Sequence, residues 1–165
     1  MNQVKNAALF HSLATLHAAA PLNEIPIAKL TATAHVSRMY FYRNFETYDD
    51  IIDRHITDLV TSYMRAVRKR DDTIASTATL FFTALQPDAE AFKIFLAHDE
   101  SNHIQHNFEL GLQRLIEQNL IQGSNDPYWR AFTAGGLSRV ITVWLSSATP
   151  ESPVQMGTKI AAIVR

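Results

Sequence analysis

The segment from Ile27 to Phe45 leaves little freedom in how it folds. Ile27, Leu30 and Ala34 recur at helical spacing, so a short helix there can hide one face. Small Ala and Thr residues between them allow a second helix to approach closely. Val36 follows as an apolar plug in the turn, and Ser37 is a good N-cap for the next helix. From that cap, Phe41 and Phe45 fall on one face, four residues apart. Arg38, Tyr40, Arg43 and Asn44 fall largely off that face. The pattern predicts two short helices joined by a tight turn, the second anchored by an aromatic pair and polar on its outside.

The outward set suits a nucleic-acid groove. Arg pairs bidentately with guanine and Asn with adenine, while Tyr hydroxyls and Arg hold phosphates. The second helix of a helix-turn-helix enters the major groove by its N-terminal half. Candidate DNA contacts on this helix and its cap are therefore Ser37, Arg38, Met39, Tyr40, Tyr42, Arg43 and Asn44. By composition alone, Arg38 and Arg43 would be solvated surface charges. Their place on the outer face of such a helix favours contact.

On these residues the first third of the chain, roughly Ala7 to Ile56, resembles the TetR family of bacterial repressors. Ile25-Pro26-Ile27 stands for the family's Ile-x-Val segment, His35-Val36-Ser37 for its Gly-Val-Ser turn, and Phe41-Tyr42-Arg43-Asn44-Phe45 for its Phe-Tyr-x-x-Phe recognition helix. The resemblance implies an all-helical homodimer whose C-terminal part senses a small molecule and so controls DNA binding. Three positions depart from the pattern. His35 stands at the family's turn glycine, Pro26 at a Thr or Ser cap, and Tyr48 at a lysine that grips the DNA backbone, so the resemblance makes Tyr48 a further candidate DNA contact whose hydroxyl can bond a phosphate without the charge. Losing that one cation lowers the salt dependence of binding by about one unit of slope.

Charge is split along the chain. Residues 1–70 hold nine Lys or Arg against six Asp or Glu, a balance of +3, and residues 71–165 hold six against ten, a balance of −4. A basic head on an acidic body fits a DNA-binding protein. Arg65, Arg68, Lys69 and Arg70 supply much of the excess, and favourable charge at a helix C-terminus explains them equally well. Cysteine is absent, which removes disulfides, thiol chemistry and Cys-based zinc sites. No apolar run approaches the roughly 18 residues of a membrane span, and no secretory leader pattern opens the chain. No membrane role and a cytoplasmic location are expected.

The remainder reads as helices separated by turn chemistry. One spans about Val4–Ala19, with Leu9, Leu13 and Leu16 at core spacing. Thr47 and Asp50 form an acidic capping box for a fourth helix carrying Ile52, Ile56, Leu59 and Tyr63. Asp71-Asp72 marks a boundary. Further helices are expected at about Thr73–Leu85, Asp88–His98, Asn102–Gln122 and Tyr128–Ser147, with a last one opened by Ser152-Pro153-Val154-Gln155. The expected fold is all-α, about nine helices. A three-helix DNA-binding domain occupies residues 1–48, a connecting helix 49–70, and a ligand-sensing and dimerisation bundle 71–165.

Two features of the body bear on function. Gly135 and Gly136 lie inside a helix, where each Gly costs about 1 kcal/mol relative to Ala and so implies close packing. The resemblance places a dimer interface on the last two helices, with Gly135, Gly136, Val140, Trp144 and Ile160 as candidates; packing within one subunit is the alternative. The body is also rich in aromatic side chains: Phe81, Phe82, Phe92, Phe95, Phe108, Tyr128, Trp129 and Phe132. A cavity among such helices suits a small apolar or aromatic effector, and an ordinary helical core explains them as well.

Catalytic patterns are missing: no His-Glu-x-x-His run, phosphate-binding Gly loop or Gly-x-Ser-x-Gly elbow occurs. His98, Asp99, His103 and His106 are the one dense group of potential ligands, and polar helix-start surface accounts for them without a metal. The expectation is a non-enzymatic regulator without cofactor or metal, a homodimer on a palindromic double-stranded operator. The alternative is a coactivator or adaptor that works through protein partners.

Overall fold

The computed structural model describes residues 2–68, 73–98, 101–121, 124–148 and 150–164. Among them are nine α-helices: α1 (Asn2–His17), α2 (Ile27–Thr33), α3 (Arg38–Asn44), α4 (Asp49–Val67), α5 (Ile74–Leu85), α6 (Ala89–Leu96), α7 (Ser101–Glu117), α8 (Pro127–Ser146) and α9 (Pro153–Ile163). Two 3-10 turns, Leu22–Glu24 and Gln86–Asp88, join α1 to α2 and α5 to α6. The all-α expectation holds. Asp71-Asp72, the expected boundary, lies outside the described residues.

Helix ends follow local chemistry. The Ser37 hydroxyl accepts from the Tyr40 amide at 3.1 Å, as a cap should. The Asp50 amide donates to Thr47 Oγ1 at 3.2 Å while the Thr47 amide donates to Asp50 Oδ2 at 2.7 Å, closing the acidic box. The Asp126 carboxylate caps α8 by accepting from the Tyr128 and Trp129 amides, both at 2.9 Å. Ser152 and Gln155 form the reciprocal box that opens α9. His35 adopts φ 52°, the left-handed turn conformation for which a glycine is better suited.

One helix ends earlier than its sequence suggests. α7 stops at Glu117, not near Gln122, because Asn119 turns left-handed at φ 55°. The Asn119 and Leu120 amides then donate back to Ile116 and Leu115, each at 2.9 Å. Asn tolerates that conformation, so no glycine was needed to end the helix.

In the body, α5 packs on α9 and α7 on α8, while α4 touches both α5 and α7. The α5–α9 contact is close enough to require Gly157: a Cβ there would lie 2.0 Å from Thr79 Oγ1 and 2.4 Å from the Ala75 carbonyl oxygen. One continuous apolar core runs from Leu9 to Ile160. Phe10 of α1 meets Phe92 at 4.9 Å and Phe95 at 5.5 Å between ring centres, so the first helix docks onto the body as well as onto α4. Among the described residues no helix is long and apolar enough to cross a membrane.

Candidate DNA-reading face and ligand cavity

The α3 helix is fixed from below by Phe41 and Phe45, both buried, and half-buried Val36 fills the turn before it. That seat turns Ser37, Arg38, Met39, Tyr42, Arg43 and Asn44 to the outside. Met39 and Tyr42 are 59% and 63% exposed, high values for side chains of that size. Lys29 on α2 and Arg54 on α4 are exposed too, and sequence reasoning did not single them out. The Asn44 amide nitrogen donates to the Tyr40 carbonyl at 2.7 Å, leaving its oxygen free to accept.

Two of the expected contact residues are committed elsewhere. The Tyr40 hydroxyl donates to Asn6 Oδ1 at 2.8 Å, Asn6 in turn donates to Asp58, and Lys5 Nζ stands 4.8 Å over the Tyr40 ring. This chain ties α3 to α1 and α4. Burial raises the Tyr40 phenol above its ordinary value; Arg54 works against the rise and Asp58 adds to it. The Tyr48 hydroxyl donates to the Ile25 carbonyl and is half-buried, and burial raises its phenol as well. A phenol has one proton, and a phosphate oxygen only accepts. In this arrangement Tyr48 fastens α4 to the entry of α2 and has no proton to offer DNA.

The histidines of the possible metal group face different partners. His98 Nδ1 lies 2.7 Å from the Ile94 carbonyl oxygen, His103 Nε2 lies 2.6 Å from Asp53 Oδ1, and His106 is exposed. Asp99 lies outside the described residues. Among the described residues no three His, Cys, Asp or Glu side chains converge as a metal site.

The α8 face differs from its sequence reading in detail. Gly136 is exposed, Gly135 and Val140 are half-buried, and a Cβ at either glycine would meet nothing within 4 Å. Trp144 and Ile160 are turned inward instead. Trp144 is 4% exposed, meets Phe82 edge-on at 5.1 Å and donates to the Glu151 carbonyl at 2.8 Å; Ile160 is 7% exposed. The outer stripe of α8 carries Tyr128, Phe132, Gly136 and Val143, with Tyr128 and Phe132 about four-fifths exposed (83% and 79%).

Between the α5–α9 and α7–α8 pairs lies a cavity of about 490 Å³, closed on one side by α4. Phe81, Phe82, Leu115 and Ile141 form its buried wall, and Arg68, Thr73 and Asn119 stand exposed at its mouth. The Tyr63 hydroxyl donates to the Thr77 carbonyl at 3.0 Å inside it, and burial pushes that phenol up to about 12. Of the aromatic side chains expected around a ligand, only Phe81 and Phe82 line this space. Phe92, Phe95 and Phe108 belong to the core beneath α1, and the tilted rings of Phe92 and Phe108 meet at 5.5 Å between centres.

No family model and no curated protein sequence matches the chain. Solved structures do. The chain is similar to a putative TetR-family transcriptional regulator from Syntrophomonas wolfei at TM-score 0.68, with 13% identity over 99% of this chain and 94% of that one. It is similar to the dihydroxyacetone kinase operon activator DhaS at 0.67, with 11% identity over 97% and 93%. It is similar to the fatty acid degradation regulator FadR from Bacillus halodurans at 0.61, with 12% identity over 97% and 94%. At 11–13% identity the likeness is one of fold. The chain has, end to end, the fold of TetR-family regulators.

Proposed function

We propose that this chain is a TetR-like transcriptional regulator that binds a palindromic operator as a homodimer and responds to a small molecule held in the body. Residues 1–48 act as the DNA-binding head, 49–70 as the connecting helix and 71–165 as the sensing and dimerising body. The observation that carries the reading is the seating of α3: Phe41 and Phe45 lock one face while Arg38, Met39, Tyr42 and Arg43 stand clear on the other. Nothing in that face serves a catalytic step, and the reading assigns none to the chain. Dimerisation rests on the exposed α8 stripe of Tyr128, Phe132, Gly136 and Val143, continuous with half-buried Gly135 and Val140. The cavity supports effector binding, with repression as the family default and release as the response.

A second reading has its own support. Tyr40 and Tyr48 are drawn into intramolecular bonds, which thins the DNA-contact set, and one fold neighbour, DhaS, is an operon activator. A coactivator acting through protein partners fits both facts.

The test is to incubate the purified protein with sheared genomic DNA of its source at near-physiological salt and sequence what is retained. Enrichment of a few promoter-proximal palindromes supports the operator-binding dimer. Arg43→Ala should then relax base selection at a defined position, and Tyr42→Phe should weaken all sequences alike. Retention without sequence preference, unchanged by either substitution, would shift the assignment to the protein-partner reading.

A further inference from the structure

The cavity is built with a direction. Its wall is apolar and almost fully buried at Phe82, Leu115 and Ile141, between 1% and 3% exposed. Its mouth is polar and open to water at Arg68, Thr73 and Asn119. Among the described residues that line it, Arg68 is the sole charged side chain, and no carboxylate faces the space. The guanidinium is held at the rim by donating to Gln118 Oε1, a neutral acceptor. That bond uses one of five N–H donors and leaves the fork open for a carboxylate.

Each ligand charge type meets this arrangement differently. A cationic head would face a fixed guanidinium without a counter-charge on the lining. A neutral head would leave the fork to water. An anionic head gains charge-assisted hydrogen bonds at the rim while its apolar body displaces water from the wall. The neutral Tyr63 phenol puts no negative charge in the path. At about 30 Å³ per water-sized volume, 490 Å³ corresponds to on the order of sixteen heavy atoms.

We propose that the cavity selects a monoanionic amphiphile, a carboxylate on an apolar body of roughly ten to sixteen heavy atoms, with Arg68 as the residue that fixes its head. The proposal rests on the reading of the cavity as an effector site, and it adds the chemical class and the orientation: head at the rim, tail against Phe82 and Ile141.

The neutral fluorescent probe N-phenyl-1-naphthylamine separates the two claims. Bound probe is displaced by dodecanoate, dodecan-1-ol or dodecyltrimethylammonium, each below its micellar concentration. The expected result is displacement by dodecanoate at about tenfold lower concentration than by either of the others, the size of one exposed charge-assisted contact. Arg68→Gln should erase that preference and Arg68→Lys should keep part of it; Arg68 is exposed, so both variants should match the parent's thermal midpoint. Equal displacement by all three would overturn the assigned class, a carboxylate preference untouched by Arg68→Gln would overturn Arg68 as the residue that fixes the head, and either leaves the cavity standing as a binding site. Failure of the probe and of all three chains to bind would overturn both.

Discussion

The Nε2 atom of His55 lies 2.9 Å from Asp88 Oδ2, and both side chains are buried. The pair joins the middle of α4 to the 3-10 turn between α5 and α6. His11 of α1 reaches the other carboxylate oxygen at 3.0 Å, and Phe10 stacks on the His55 ring at 3.8 Å. One carboxylate thus ties both α1 and α4 to the turn that precedes α6. Asp88→Ala should cost roughly 1–3 kcal/mol by leaving a buried imidazole unsatisfied. Asp88→Asn should cost less. His11→Ala, with its partly exposed side chain, should cost under about 1 kcal/mol. Urea unfolding of the three variants checks the order; equal losses would place the stabilisation elsewhere.

Two glycines should respond oppositely to the same methyl group. Gly157→Ala drives a Cβ into Thr79 and the Ala75 carbonyl, an overpacking that costs about 1–3 kcal/mol. Gly136→Ala meets open space and should add up to about 1 kcal/mol of helix stability. Urea midpoints measured at one protein concentration decide it, because association shifts apparent stability.

Gly136→Leu tests the α8 stripe directly. A larger side chain at an exposed position leaves the protomer intact, and it should shift a dimer to monomer in light scattering if the stripe is the interface. An unchanged dimer mass would exclude this helix from the contact.

The start of α4 should carry a pH signature. The Thr47 backbone N–H, with a further amide from Glu46, holds the Asp50 carboxyl below the usual aspartate range against the opposing effect of burial. A carboxyl lowered in the folded state stabilises above its unfolded pKa, and that contribution disappears as pH falls through the folded one. Asp50→Ala should therefore cost about 1 kcal/mol at neutral pH. The gap to the parent should close below about pH 4. A gap independent of pH would remove the ionised carboxylate from the explanation.

Tyr63 should act at the other end of the scale. Its phenol is pushed up to about 12 by burial, from an ordinary value of 10.0. The folded state therefore keeps a proton that the unfolded chain releases, and stability is full below about pH 10 and falls as pH rises toward 12. Tyr63→Phe should flatten that limb by at most roughly 2–3 kcal/mol, read as the difference between parent and variant denaturation curves at pH 9 and 11.5.

What was legible in the sequence was local. Ser37 as a cap, Phe41 and Phe45 as anchors, the Thr47–Asp50 box and the Ser152–Gln155 box all depend on residues within four positions of one another. The all-helical order follows from the same rules. What stayed hidden depends on distant partners. Tyr40 finds Asn6 across 34 residues and Tyr48 finds Ile25 across 23, so neither commitment shows in the spacing. Trp144 and Val143 are neighbours in sequence, yet one is core and the other surface, because only the packed bundle decides which side of α8 faces Phe82. The cavity mouth was equally hidden: it combines the end of α4 with the turn after α7, where Asn119 takes the left-handed conformation.

The tight seating of Gly157 has a mechanical consequence. With no clearance between α9 and α5, these two helices form one rigid leaf, and α7 with α8 forms the other; α4 is the spine between them. A guest too large for the gap cannot be admitted by sliding α9 along α5. The leaves must part. Tyr128 and Phe132 ride on the outside of the second leaf, so if the cavity takes the effector proposed above, a parting of the leaves would turn these two side chains with it.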